Sequence, residues 1–197
     1  MFHSVGEYAK AEEYLQKALT INTEIGDKDG EATCYGNLGN VFQSVGEYAK
    51  AKEYLQKALT ITTEIGGRDG EASCYTSLGI VFLSVGEYAK AEKYLHKALT
   101  INTEIGDKHG EASCYISLGN VFHSVGKYAK AEEYLQKALT IRTEIGDKHG
   151  EASCYINLGN VFQSVENMPR LQNIFRKHLP STQKLAPNAE KRHCTET

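Results

Sequence analysis

Residues 6–45 read GEYAKAEEYLQKALTINTEIGDKDGEATCYGNLGNVFQSV, and the same 40-residue stretch begins again at Gly46, Gly86 and Gly126 with most positions unchanged. A fixed period of this length marks a stacked architecture in which each unit buries its apolar face only against its neighbours. Two helices are legible in each unit. The first is expected roughly from Lys28 to Ser44. Asp27 before it is a good N-cap, Glu31 sits near its positive end, and Gly46 lies just past its last turn, where a left-handed residue is favoured. The second is expected roughly from Glu47 to Ile65 and stops at Gly66. Its residues Tyr48, Ala51, Leu55, Ala58, Leu59 and Ile65 recur at steps of three, four and seven, an amphipathic helical pattern. The short connections make the two helices antiparallel neighbours, and no segment alternates like a strand.

Bulk properties narrow the function classes. The 197 residues carry a net charge of −3, with both signs mixed along the chain and no basic block of the kind that follows a phosphate backbone, so nucleic acid is not an expected partner. No apolar run approaches the roughly 18 residues needed to cross a bilayer. The opening MFHSVGEYAK is not a secretory signal, there is no Asn-x-Ser/Thr acceptor, and a cytoplasmic location is the default expectation. Cys34, Cys74, Cys114, Cys154 and Cys194 each lie 40 residues apart. Equivalent positions in stacked units sit about 10 Å apart, because each unit inserts a helical layer. A disulfide needs Cα atoms within about 7 Å. These cysteines are therefore expected as small, half-buried core fillers, with no disulfide frame, metal site or cofactor.

The packing positions carry a family resemblance. Tyr35, Leu38, Gly39, Phe42, Ala51, Leu55 and Ala58 fall in the order of the tetratricopeptide signature. So do Tyr75, Leu78, Gly79, Phe82, Ala91, Leu95 and Ala98, and Tyr115, Leu118, Gly119, Phe122, Ala131, Leu135 and Ala138. Two features depart from it. Thr63, Thr103 and Thr143 stand where proline is usual, and the period is 40 rather than 34. This long form resembles the arrays of G-protein-signalling modulators (the LGN/Pins group), kinesin light chains and related scaffolds. The resemblance implies an all-α, right-handed superhelical solenoid of antiparallel helix pairs. It further implies an interaction scaffold that binds a peptide or helical segment of a partner in its concave groove. The alternatives are an accessory or sensor arm of a larger NTPase- or G-protein-linked signalling protein, or a gene fragment with no independent function. An enzyme is not expected.

Comparing the copies locates the expected groove. On the first helices, differences concentrate at Gly36/Thr76/Ile116/Ile156, Asn37/Ser77/Ser117/Asn157, Asn40/Ile80/Asn120/Asn160 and Gln43/Leu83/His123/Gln163. Offsets of four and three put the first, third and fourth sets on one helical stripe. A stripe that drifts between otherwise identical units is not expected to hold the core, and in the resembling family the first helices line the concave surface. The candidate partner-binding residues are therefore Asn37, Asn40, Gln43, Thr76, Ile80, Leu83, Ile116, Asn120, His123, Ile156, Asn160 and Gln163. Asn40, Asn120 and Asn160 each offer a donor and an acceptor suited to a partner's backbone amides. Ile80, Leu83, Ile116 and Ile156 would supply an apolar stretch near the middle. A strong cationic clamp for a terminal carboxylate is missing. Gly36-Asn37-Leu38-Gly39 lies inside a helix and lacks the Gly-Lys-Ser/Thr of a phosphate loop. His109 and His149 fall in turns with no second ligand at i+4, and read as surface histidines.

The expected units are 1–26 (a truncated unit, second helix only), 27–66, 67–106, 107–146 and 147–165 (a first helix), followed by a divergent tail, 166–197. MFHSVG aligns with VFQSVG, the last turn of a first helix, so the helix Tyr8–Ile25 is expected to expose part of its packing face, and uncapped ends open a route to self-association. In the tail, Pro169 suits a first helical turn. A helix over 168–179 is expected to cover the helix Lys148–Ser164 through Leu171, Phe175 and Leu179, with disorder beyond it. Back-translated with free synonymous choice, Glu166–Leu171 can be GAG AAT ATG CCA AGG CTA. Displaced by one base, with a G in front, this spells GEYAKA. Carried on, the same displacement yields TEYLQKALT and INTEIGAKRGEA. The tail is thus expected to be the next repeat read out of frame, and no site is assigned to it. Sequencing the transcript across Val165 checks this: a repeat-like reading in the neighbouring frame is the expected outcome, and its absence sinks the idea.

Overall fold

The computed structural model describes the backbone of residues 2–178 and the side chains of residues 7–166. Among these residues the chain forms eight helices and no strand: α1 (Phe2–Ile25), α2 (Lys28–Ser44), α3 (Tyr48–Ile65), α4 (Arg68–Ser84), α5 (Tyr88–Ile105), α6 (Lys108–Ser124), α7 (Tyr128–Glu144) and α8 (Lys148–His178). Each helix packs against the next, which gives the repeated hairpins of an all-α solenoid.

The boundaries follow local chemistry. Asp27 and Asp107 cap α2 and α6, their carboxylates accepting from Gly30 N and Gly110 N at 3.0 Å, and Asp147 does the same for Gly150 N at 2.8 Å. The second unit has Gly67 at that position and no side-chain cap, while Arg68 pairs with Glu71 and Glu104. Gly46 and Gly66 close the first and second helices at φ +80° and +70°, a conformation L side chains rarely adopt.

The core is a repeated contact between the two helices of a unit. Leu38, Leu55, Ala51 and Ala58 are buried, as are their counterparts 40 and 80 residues further on. A Cβ on Gly39 would sit 2.6 Å from Leu55 Cγ and 3.3 Å from the Ala51 carbonyl oxygen, so the missing side chain is what lets the helices approach. Phe42 stacks on Tyr54 with centroids 5.3 Å apart, and Phe122 on Tyr134 at the same separation. Lys130 Nζ lies 3.9 Å over the Phe122 ring. Cys34, Cys74, Cys114 and Cys154 are free thiols and are buried, more completely than the half-buried fillers expected; Cys194 lies outside the described residues. Burial pushes the Cys74 thiol up to about 11 and raises those of Cys114 and Cys154, so these sulfurs stay protonated.

The structure departs from the sequence reading at both ends. Residues 2–5, expected as the last turn of a first helix, continue α1 without a turn at Gly6. The turn at Gly46 is held by α2 folding back along α3, and residues 2–5 have no such helix body behind them in this sequence. At the other end α8 runs unbroken from Lys148 to His178. Glu166 stands where Gly46, Gly86 and Gly126 turn the chain, and a non-glycine residue resists the left-handed conformation. Because the helix is continuous, it carries 168–178 away from Lys148–Ser164, and the expected covering of that helix does not occur. The residues expected beyond it as disordered lie outside the described ones.

The glycine notch makes a test with two signs. Gly119→Ala places a Cβ 2.7 Å from Leu135 Cγ and is expected to destabilise by about 1–3 kcal/mol through overpacking. Gly159→Ala, at the equivalent place in α8 where none of the described residues lies within 4 Å, is expected to stabilise by about 0.5–1 kcal/mol through helix propensity. Urea denaturation followed by circular dichroism measures both.

Candidate partner-binding groove

The curvature of the array identifies its inner face. α2, α4, α6 and α8 touch one another in succession, whereas α1, α3, α5 and α7 do not. Helices that meet line the inside of a bend and helices that splay lie outside it, so the first helix of each unit forms the concave wall.

The expected stripe lies along these helices, but its residues are not equivalent. Asn37, Asn40, Ile156, Asn160 and Gln163 are exposed, and Gln43, Thr76, Ile80, Leu83, Ile116, Asn120 and His123 are half-buried. Among the described residues the Asn40 and Asn120 amides make no hydrogen bond; only their backbone carbonyls accept, from Ser44 and Ser124. Leu83 and Ile116, read from sequence as free of the core, instead pack against the buried clusters. Successive first helices press on each other at this register, and a large side chain there is caught between them. Thr76 Oγ1 donates back to the Ala72 carbonyl at 2.9 Å and lies 3.6 Å from Cys114 Sγ. His123 is also occupied: its Nε2 is 2.8 Å from Ser164 Oγ on α8, and its ring packs on Tyr128. It spaces α6 from α8 rather than standing open. Ile156, at the α8 end, is the apolar member most available to a partner.

Two clefts open on this wall. One, of about 220 Å³, lies between α2 and α4 and is lined by Asp29, Thr33, Asn37, Asn40, Asp69 and Ser77, with Thr62 at its floor. The second, also of about 220 Å³, lies between α4 and α6 and is lined by Asp69, Ser73, Thr76, Asn102, Asp107 and Ser113. The sequence reading placed Asn37, Asn40 and Thr76 here but missed Asp29, Asp69 and the serines.

At the third junction the same register is filled by an arginine. Arg142 stands where Asn22, Thr62 and Asn102 stand in the other units. Asn22 and Asn102 each place Nδ2 3.4 Å from a cysteine sulfur, Cys34 and Cys114. Arg142 is 8% exposed, and its guanidinium donates to Asp147 Oδ2 at 2.7 Å, Ser113 Oγ at 2.7 Å and His109 Nδ1 at 3.0 Å. Because an arginine N–H only donates, Nδ1 of His109 accepts and the ring proton sits on Nε2. His109 is exposed, the surface histidine read from the sequence, and its Nδ1 also joins a junction between α6, α7 and α8. The bond from Gly150 N, with Arg142 beside it, holds the Asp147 carboxyl below its usual range. The signal was present in the sequence, since the copies also differ at 22/62/102/142 and at 29/69/109/149, the first set on second helices and the second at the helix starts. At the helix starts along the inner wall, Asp29 and Asp69 thus give way to His109 and His149, and on the second helices Asn102 gives way to Arg142.

A sequence profile described as tetratricopeptide repeat matches residues 1–64, 43–104, 70–144 and 118–180, and the chain belongs to that family. No match was found among curated proteins. Among solved structures, BtubC (BKLC) from P. vanneervenii is 22% identical, with a TM-score of 0.73 over 99% of this chain and 83% of its own. Aspartyl phosphate phosphatase F from Bacillus subtilis is 16% identical, with a TM-score of 0.75 over 89% of this chain and 47% of its own. A Podosopora anserina protein with nearly identical TPR-like repeats, described as a kinesin light chain, is 16% identical, with a TM-score of 0.59 over 91% of this chain and 92% of its own. Likeness at these identities establishes the shared fold. This chain spans about half of the phosphatase. No helix among the described residues is long and apolar enough to cross a membrane.

Arg142→Ala strips Asp147, Ser113 and His109 of a shared donor, and the expected cost is about 1–3 kcal/mol. Arg142→Asn restores the Asn–Cys arrangement of the other units opposite Cys154 and is expected to recover part of that loss. Thermal unfolding of the two variants side by side measures the difference.

Proposed function

We propose that the chain is a protein-interaction scaffold whose concave wall holds an extended or helical segment of a partner protein. The observation that carries this reading is the coincidence of two independent features. On the first helices, the positions at which near-identical units differ fall on the wall where those helices meet, and two clefts open along that same wall. A surface maintained only for folding has no need to vary in register with an otherwise constant packing set.

The chemistry defines the ligand in outline. Asn37, Asn40 and Asn120 present amides able to pair with a partner's backbone. Asp29 and Asp69 border the first clefts and favour a partner residue with a cationic or donor group. Ile80 and Ile156 offer apolar contact further along. A Rap protein of this fold has been seen complexed with competence and sporulation factor, and a STAND ATPase carries such repeats as its sensor. Both precedents support recognition as the use of this array.

A displayed random-peptide library selected on the full chain, followed by calorimetry on the recovered peptides, tests the reading. The double variant Asn40→Ala, Asn120→Ala is expected to weaken binding at least about tenfold, equivalent to about 1.4 kcal/mol. Peptides that bind wild type and variant equally, or a library that yields no binder, would overturn it.

A further inference from the structure

The two ends of the array present complementary halves of one repeat. From Tyr8 to Ile25, α1 has the sequence of the second helices and differs from the 128–145 stretch only in having Asn22 where that stretch has Arg142. From Asp147 to Val165, α8 has the sequence of the first helices and differs from the 107–125 stretch only at Asn157 against Ser117 and Gln163 against His123. α6 and α7 pack together as one complete unit. Among the described residues, no first helix of its own unit lies beside α1 and no second helix lies beside α8.

The exposed atoms are those that the α6–α7 contact buries. Phe162 is 54% exposed, against 1% for Phe122, and Tyr155 is open where Tyr115 is half-buried. Among the described residues Gly159 has nothing within 4 Å, whereas the equivalent Gly119 receives Leu135. On α1, Tyr14 is 68% exposed, and its counterpart Tyr134 stacks on Phe122. Ala11 and Leu15 are only partly covered, while Ala131 and Leu135 are fully buried.

We propose that the 197-residue chain associates head to tail, with α1 of one copy docking on α8 of the next to complete a repeat between them. Leu15 of the incoming copy takes the Gly159 notch as Leu135 takes Gly119. Tyr14 stacks on Phe162, and Lys10 lies over that ring as Lys130 lies over Phe122. The occupant is specified by the packing already present inside the molecule, since the incoming helix is all but identical in sequence to the one that fills the equivalent place. Connectivity is no obstacle. Within the chain, the two helices of a unit are joined by a turn at Gly46, Gly86 or Gly126, but α1 and α8 both run straight through that position. Two separate chains need no turn. The contact is heterologous, so copies add in series and the first-helix wall continues from one copy to the next.

Sedimentation velocity of the full chain, from low micromolar to several hundred micromolar, is the test. The weight-average mass is expected to rise above 21.8 kDa with concentration and to keep rising beyond that of a dimer. Gly159→Leu fills the α8 notch in open space, and Tyr14→Lys puts a charge on the exposed face of α1. Neither touches the interior, and circular dichroism verifies folding. Each variant alone is expected to stay monomeric, and an equimolar mixture is expected to form a one-to-one complex, because each retains the end that the other lacks. A wild-type chain that stays monomeric throughout overturns the proposal. So does association that survives both substitutions, or a mixture that stays monomeric, which would point to contacts between like ends.

Discussion

Everything in this molecule depends on the absence of one side chain. At Gly39, Gly79 and Gly119 a Cβ would meet the facing leucine at 2.6–2.7 Å, so only glycine lets the two helices of a unit close to that separation. Once they close, Leu55, Leu95 and Leu135 become almost fully buried, and the alanines on either side bring the backbones together along the rest of the contact. The aromatic pairs then fill the wedge that remains. Interiors pack at the density of organic crystals, so such a contact has few tolerated variants. That explains why the copies agree most closely where they pack.

On the first helices the freedom left over lies on the inner wall. Each first helix faces its own second helix on one side and the next first helix on another, and the strip between these contacts is free to differ. It does not differ uniformly. Where two first helices press together, the drifting residue is drawn into the packing, as Leu83, Ile116 and His123 are. Where they part, a cleft opens and small polar residues line it. The change from Asp69 to His109 and from Asn102 to Arg142 alters the third junction in kind. A cleft bordered by carboxylates becomes a place where a guanidinium ties three helices together. The array thus pairs a polar, acidic stretch of wall with a braced one, although its units are close copies.

Much of this was legible in the sequence because the determinants are local and repeated. Asp27 and Gly46 set the ends of α2, the helical spacing of Ala51, Leu55 and Ala58 set the buried face of α3, and the drift at 36, 40 and 43 marked the inner wall. What escaped was non-local or unrepeated. Arg142 bonds to His109 and Ser113, 33 and 29 residues away, and no periodicity points to such a contact. Asp29 and Asp69 lie in helix first turns and are cleft residues only because the next helix is stacked alongside. The ends of α1 and α8 were misread because the repeat implied a turn, yet the turn requires both a glycine and a helix to fold back on. Glu166 removes the first requirement. Residues 2–5 lack the second.

A stacked array has no central core, only a series of equal interfaces, and this changes what its ends mean. In a globular domain a missing element leaves a hole; here it leaves a surface identical to those that are satisfied elsewhere in the same molecule. The affinity of such a surface for its complement is therefore encoded in every internal repeat. Stability of repeat proteins is close to a sum of unit and interface terms, so an interface that holds α6 to α7 within a chain can also act between chains, reduced by the entropy of bringing two molecules together. The near-identity of the units, which makes the fold easy to read, is also what the proposed head-to-tail docking rests on.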